Sequence, residues 1–76
     1  MQELLSYLVR LLVEDEDSVR VDQTKGDQTV VLEIRVKEED LGRLIGRKGK
    51  TARALRTVAQ AAAQKKGCRA VVEIVS

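Results

Sequence analysis

Two glycines bracket two cations in the stretch at 44–51, which runs Leu-Ile-Gly-Arg-Lys-Gly-Lys-Thr. Glycine adopts positive φ freely and lets another chain approach the backbone closely. A helix that begins directly after such a turn presents free N–H groups, and its dipole favours an anion there. Arg47 and Lys48, which lie between Gly46 and Gly49, are then able to reach a phosphate. The pattern predicts a loop that holds the backbone of a nucleic acid.

Two other interpretations compete for this loop. The run Gly49-Lys50-Thr51 resembles the end of the phosphate-binding motif GxxxxGK[ST], but Leu44 stands where that motif requires its first glycine. The chain is also too short for the sheet and the metal-holding acid of a nucleotide-binding domain. The other interpretation is that the two glycines only shape a tight turn between helices, with the cations as ordinary solvated surface.

The composition argues against an enzyme. The 76 residues include no histidine, so the usual general base and the commonest metal ligand are both missing. Cys68 is the only cysteine, which excludes an intramolecular disulfide and a cysteine zinc site. We expect no enzymatic activity, no cofactor, no bound metal and no small-molecule substrate.

The length leaves room for one domain, expected to span residues 1–76. Near the N-terminus Glu3 and Arg10 interrupt the apolar run, unlike in a signal peptide. No stretch approaches the roughly eighteen apolar residues of a membrane span. The expected location is the cytoplasm, without membrane contact.

Charge is strongly segregated although the net charge is only +2. Residues 1–40 carry five cations against eleven acids, whereas residues 41–72 carry nine cations and no acid. A solvated helix face usually mixes Glu with Lys at i,i+4 spacing. A basic half without carboxylates is instead typical of a surface that meets a polyanion.

Apolar periodicity predicts three helical segments, at residues 2–13, 41–45 and 50–65. Asp40 is the expected N-cap of the short middle helix. The first helix has an apolar band wider than one packing face needs, which allows a second contact surface. Its expected inner residues are Leu4, Leu5, Leu8, Leu11 and Leu12, and those of the last helix are Ala52, Leu55, Val58, Ala59 and Ala62.

Alternation of apolar and polar residues predicts strands at 18–23 and 28–37, joined by a turn at 24–27, and a last strand at 69–75. Val30, Leu32, Ile34 and Val36 are expected to face inward. Gly67 suits the left-handed position that ends a helix. The resulting order, α-β-β-α-α-β, favours a parallel pairing across the helical crossover. It predicts a two-layer α+β fold with a three-stranded mixed sheet and the helices on one face.

In its GxxG loop between a short and a long helix, and in its order of elements, the chain resembles the K-homology (KH) domain of type II. The run Lys50-Thr51-Ala52-Arg53-Ala54-Leu55-Arg56-Thr57-Val58 is most similar to the bacterial KhpA family of stand-alone KH proteins. The resemblance covers the whole chain and implies a single KH domain over residues 1–76. KH domains hold the backbone of about four nucleotides with the GxxG loop.

The resemblance implies that Gly46, Arg47, Lys48 and Gly49 form the clamp and that Ile45 lines the base groove. The third apolar position of the family pattern is Ala52 here, which makes the groove wall shallower, unless Leu55 replaces it. Because the chain has one aromatic residue, remote from the loop, bases are expected to rest on aliphatic side chains. The full set of candidate RNA-binding residues is Ile34, Arg43, Leu44, Ile45, Gly46, Arg47, Lys48, Gly49, Lys50, Arg53 and Arg56.

The predicted function is the binding of single-stranded RNA. The resemblance further implies a homodimer, or a heterodimer with a second KH-domain protein, acting in RNA regulation or as an RNA chaperone. Two alternatives belong to other classes. One is an assembly module whose basic face meets an acidic protein without touching RNA. The other is a DNA-binding helix-turn-helix over residues 40–65, for which the first helix is short.

Overall fold

Three helices and three strands follow one another in the predicted order in a computed structural model, which describes residues 1–76. Single turns of 3₁₀ helix lie at Glu16–Ser18, Glu38–Asp40 and Arg47–Gly49. The helices and strands are α1 Gln2–Leu12, β1 Arg20–Lys25, β2 Thr29–Arg35, α2 Leu41–Ile45, α3 Lys50–Gln64 and β3 Arg69–Val75.

The strands form one mixed sheet in the order β1-β2-β3. β1 pairs antiparallel with β2, placing Val21 opposite Ile34, and β2 pairs parallel with β3, placing Leu32 opposite Val72. The parallel pair requires a long connection, which α2 and α3 supply. The predicted α+β fold, with its three-stranded mixed sheet, is thereby confirmed.

The hairpin is displaced by two residues from its predicted position. β1 continues to Lys25, and the N–H of Gly26 donates to the carbonyl oxygen of Thr29 at 2.8 Å. Only Asp27 and Gln28 remain as the loop, which makes a two-residue connection of the kind that tight hairpins prefer. The segment at 16–18, in contrast, forms a 3₁₀ turn before the strand begins.

The inward faces of the strands form the core as predicted, but both long helices are rotated relative to the prediction. α1 buries Leu5 and Val9, while Leu4, Leu11 and Leu12 remain exposed. α3 buries Ala52, Leu55, Ala59 and Ala63, with Val58 exposed. The apolar face of each helix is wider than the strip that the sheet covers. A band of apolar surface is therefore left uncovered on both helices.

Asp40 occupies the N-cap position of α2, as predicted, but its side chain makes no capping hydrogen bond to that helix. Its carboxylate is almost wholly buried and accepts the N–H groups of Glu14 at 3.1 Å and Asp15 at 3.2 Å. Arg43 approaches the same carboxylate with its Nε at 3.4 Å. Asp40 therefore ties the segment that leaves α1 to the beginning of α2.

A more exposed ion pair strengthens the same junction. Lys37 Nζ lies 3.3 Å from Asp15 Oδ2, and the Ser18 hydroxyl donates to that oxygen at 3.0 Å. The hydrogen bond from Ser18, together with Lys37, lowers the pKa of Asp15 below 3.8, and Asp15 raises the pKa of Lys37 above 10.5.

None of the helices combines the length and the apolar character that a membrane span needs.

Candidate nucleic-acid interface

The GxxG loop is a tight left-handed turn between α2 and α3. Gly46 ends α2 with φ 75° and ψ 173°, and Gly49 precedes α3 with φ 74° and ψ 14°. Lys48 has φ 57° and is the one non-glycine residue with positive φ. The N–H of Gly49 donates to the carbonyl oxygen of Gly46 at 3.1 Å and closes the turn. This conformation holds the two cations at the tip of the turn.

Arg47 and Lys48 are exposed, and neither forms an ion pair or a side-chain hydrogen bond within the chain. The first turn of α3 has no capping side chain. Unpaired backbone N–H groups at a helix start, together with nearby cations, favour an anion. The loop therefore presents two unpaired cations beside an uncapped helix start.

An open groove of about 480 Å³ begins at this loop and runs between α3 and β3. Its floor is aliphatic and its rim is cationic. Ile45, at the end of α2, is 45% exposed. The residues that line the groove are Ile45, Gly49, Ala52, Arg53, Arg56 and Ile74.

β3 is an edge strand, and its free edge faces this side of the fold. The N–H of Arg69 donates to Gln28 at 2.8 Å and the carbonyl of Val75 accepts from Val36 at 3.3 Å, so the odd-numbered residues of β3 pair with β2. In a parallel ladder the alternate residues then direct their N–H and C=O groups outward. Gln60 Oε1 accepts the N–H of Ala70 at 3.1 Å. The backbone groups of Val72 and Ile74 that face outward have no partner within the sheet.

The structure contradicts two of the predicted site residues. Leu44 and Ile34 are completely buried in the core, so neither can contact a base in the folded protein. Ile34 lies on the central strand, whose inner face the helices cover. Ile74, on the edge strand, occupies the position that the prediction gave to Ile34.

Two predicted cations lie away from the groove. Arg43 is held by Glu14 at 2.8 Å and by Asp40 at 3.4 Å, so its guanidinium already has carboxylate partners. Lys50 points to the other flank of α3, where it lines a second groove beside α1. Arg53 and Arg56 do lie in the groove next to the loop. Sequence reasoning missed Ile74 because alternation identifies it only as an inward-facing residue and does not show which inward residues border a groove.

Comparison with known proteins places this geometry in a family. The sequence model described as KhpA/KhpB, KH domain matches residues 2–74. The chain belongs to this KH-domain family. In this chain the loop at Gly46–Gly49 lies between a short and a long helix.

Individual members of the KhpA/KhpB family match over almost their whole length. The RNA-binding protein KhpA of Clostridium acetobutylicum is 44% identical over 75 residues, which cover 99% of this chain and 100% of that protein. The protein of the same name from Leifsonia xyli is 46% identical over 71 residues, covering 93% of this chain and 91% of its own length. That of Aquifex aeolicus is 41% identical over 75 residues, covering 99% and 95%.

Proposed function

We propose that this protein is an RNA-binding KH domain, formed by residues 1–76, that holds single-stranded RNA in the groove between α3 and β3. The observation that carries the proposal is the turn at Gly46–Gly49, which places two unpaired cations at the mouth of an aliphatic groove beside a free strand edge. The names of the relatives, RNA-binding protein KhpA, support the same class of ligand.

The groove suits a strand whose bases are unstacked. Phosphates meet the loop amides with Arg47 and Lys48, while bases lie on Ile45, Ala52 and Ile74. The outward backbone N–H and C=O groups of Val72 and Ile74 form hydrogen bonds with the edges of the bases. The groove has no aromatic side chain for stacking, which in other RNA-binding domains adds about 1–3 kcal/mol per base. We therefore expect modest affinity and modest sequence preference.

The opposite face of the sheet carries charges of both signs. Asp22, Glu33 and Glu73 lie directly opposite one another on three adjacent strands. Arg20 and Arg35 lie opposite each other on the same face, and Arg35 forms an ion pair with Glu33 at 3.2 Å. The loop and α3, in contrast, carry cations without neighbouring acids, which favours RNA on that side of the molecule.

The cellular context is part of the proposal. On the family resemblance we propose that the protein works in the cytoplasm, in RNA regulation or as an RNA chaperone, and pairs with itself or with a second KH-domain protein. The uncovered apolar surface of α1 and α3 supports pairing. A monomeric KH domain would leave this surface in water.

The decisive experiment replaces both loop cations with aspartate. We expect Arg47→Asp with Lys48→Asp to abolish binding of a short single-stranded RNA, measured by fluorescence anisotropy. Asp tolerates the left-handed conformation of Lys48 better than most residues. The matched control, Lys65→Glu with Lys66→Glu, changes the net charge equally at the far end of α3 and should retain most of the binding.

Circular dichroism of both variants confirms that they fold. Wild-type affinity in the loop variant, with the fold intact, would show that the loop is not the RNA clamp.

A second candidate function is protein assembly without RNA contact, and the apolar groove beside α1 is the observation that favours it. Crosslinking in cells that recovers protein partners but no RNA would support this alternative. The helix-turn-helix alternative is weakened because α2 has only five residues. Competition between duplex DNA and single-stranded RNA separates the DNA-binding alternative from the proposed function.

A further inference from the structure

A side chain of α3 bridges to the edge strand at the far end of the groove between α3 and β3. Gln60 Oε1 accepts the N–H of Ala70 at 3.1 Å, and Gln60 itself is half-buried. We propose that Gln60 selects the base at this end of the groove and favours guanine or uracil there over adenine or cytosine. The inference rests on the proposed function, because it concerns the same groove.

The groove leads from the GxxG loop to Gln60. Ile74 lines the groove together with Gly49 at the beginning of α3, whereas Ala70 meets Gln60 in a later turn of the helix. α3 and β3 therefore run in opposite directions on the two sides of the groove. From Gly49 to Gln60 the helix rises by roughly 16 Å. An RNA strand whose backbone is held at the loop reaches Gln60 at the end of its path.

The free edge of β3 presents backbone donors at regular intervals. Outward N–H groups belong to every second residue, which is about 6.6 Å along a strand. Those of Val72 and Ile74 have no partner within the sheet, whereas that of Ala70 is bonded to Gln60. The carboxamide of Gln60 therefore stands in place of the N–H that a base would otherwise meet at Ala70.

The bond to Ala70 fixes which half of the carboxamide faces a ligand. It directs Oε1 at the strand, while Nε2 carries two hydrogens and donates to no group of the chain. No buried side-chain nitrogen or oxygen lacks a partner, so Nε2 is open to solvent. A carboxamide with both atoms free contacts adenine twice, donating to N7 and accepting from N6. Gln60 presents the donor half of that contact without the acceptor half.

Bases with a carbonyl group match a side chain that only donates. Guanine O6 and uracil O4 are acceptors at the positions where adenine and cytosine carry amino groups. The Nε2 hydrogens of Gln60 bond to such a carbonyl and oppose the hydrogens of an amino group. At 100° per residue, Gln60 lies between Arg53 and Arg56 around α3. Both guanidinium groups also donate without accepting, so they add to the same preference.

The test exchanges the donor for an acceptor and keeps the bridge to β3. In Gln60→Glu one carboxylate oxygen still accepts the N–H of Ala70, and the other replaces Nε2. A carboxylate accepts from the amino group of cytosine. We compare six-nucleotide oligo(U) and oligo(C) by fluorescence anisotropy, because a homopolymer places the same base at Gln60 in every register. The ratio of the affinity for oligo(U) to that for oligo(C) should fall at least about fivefold, the effect of one hydrogen bond.

A second variant separates base selection from support of the strand. Gln60→Leu removes the donor and the acceptor together and breaks the bridge to Ala70. Base selection predicts a ratio for Gln60→Leu between those of the wild type and Gln60→Glu. A purely structural role predicts the reverse order, with Gln60→Glu like the wild type and Gln60→Leu impaired for both RNAs, and that order would overturn the proposal.

The matched control is Gln64→Glu. Gln64 lies one turn later on α3 and is exposed. Its substitution adds the same negative charge near the groove, so this variant and Gln60→Glu should both bind the two RNAs somewhat more weakly. The ratio of the two affinities should change only in Gln60→Glu. Equal falls of the ratio in both variants would overturn the proposal, because the added charge alone would then explain them.

The same measurements separate this inference from the function on which it rests. A wild type that binds RNA, with an unchanged ratio in Gln60→Glu, would overturn the role of Gln60 and leave the proposed function standing. A wild type that binds neither oligo(U) nor oligo(C) would overturn the proposed function, and base selection by Gln60 with it.

Discussion

Gly46 and Gly49 have almost the same φ but different surroundings, and the difference predicts unequal effects of substitution. At Gly46 a Cβ would lie 2.8 Å from Thr51 Cβ and 2.9 Å from the Thr51 backbone nitrogen. Its φ of 75° with ψ of 173° also falls in a region that is essentially restricted to glycine. At Gly49 no atom lies within 4 Å of an added Cβ. The first glycine is therefore required by packing and conformation, and the second by conformation alone.

We expect Gly46→Ala to lower the free energy of unfolding by about 3 kcal/mol and to weaken RNA binding, because the turn must rearrange around Thr51. Gly49→Ala should cost only about 1 kcal/mol, the usual penalty for a left-handed non-glycine residue. Urea denaturation of both variants measures the difference. Equal losses of stability would show that Thr51 yields easily and that the packing argument is wrong.

At the scale of elements, Asp40 holds the end of α1 against the beginning of α2. We expect Asp40→Ala to lower the free energy of unfolding by about 3 kcal/mol, because two backbone N–H groups lose a buried charged acceptor. Arg43→Gln removes the ion pairs but keeps this acceptor, and should cost under about 1 kcal/mol, since the Arg43 guanidinium is half-exposed and Asp40 retains its two backbone donors. Both values come from urea denaturation. A similar cost for the two variants would mean that the ion pairs, and not the backbone acceptor, make the junction.

The elements differ in how far the sequence predicts them. The alternation in β2 is regular, so its inward residues, including Leu32 and Ile34, were predicted correctly. The apolar bands of α1 and α3 are wider than the sheet they cover, so periodicity alone could not decide which part is buried. That is why Leu11 and Val58 were placed in the core and are exposed instead.

The parts of the candidate site also differ in how far the sequence predicts them. The GxxG loop is a local feature, and its turn and exposed cations follow from the types and spacing of its own residues. The groove depends on which inward-facing side chains the helices leave uncovered, and alternation marks Ile34 and Ile74 alike as inward. Ile34 was therefore chosen where Ile74 is the residue that lines the groove. The hydrogen bonds of Asp40 were not predicted for a similar reason. The N–H groups that its carboxylate accepts, those of Asp15 and Glu14, lie 25 and 26 residues away along the chain, so no local pattern links them.

At the scale of the whole molecule, the fold turns the segregation of charge along the chain into two faces. The acid-free half contributes the loop and α3, which border the groove between α3 and β3. On the outer face of the sheet, the carboxylates of Asp22, Glu33 and Glu73 lie beside the paired residues Arg20 and Arg35. Binding should accordingly depend on where a cation lies and not only on net charge.

Salt dependence of RNA binding tests this last point. For single-stranded RNA, log K falls with log salt at a slope of about −0.7 for each phosphate neutralised, so contact with about three phosphates gives a slope near −2. Arg53→Gln with Arg56→Gln, which removes two groove cations, should weaken binding and bring the slope to about −0.7, the value for one remaining phosphate contact. Lys65→Gln with Lys66→Gln removes the same charge beyond the end of α3 and should leave the slope close to that of the wild type. Equal changes in both variants would mean that RNA senses the overall charge of the molecule, and the groove would then have no special part in binding.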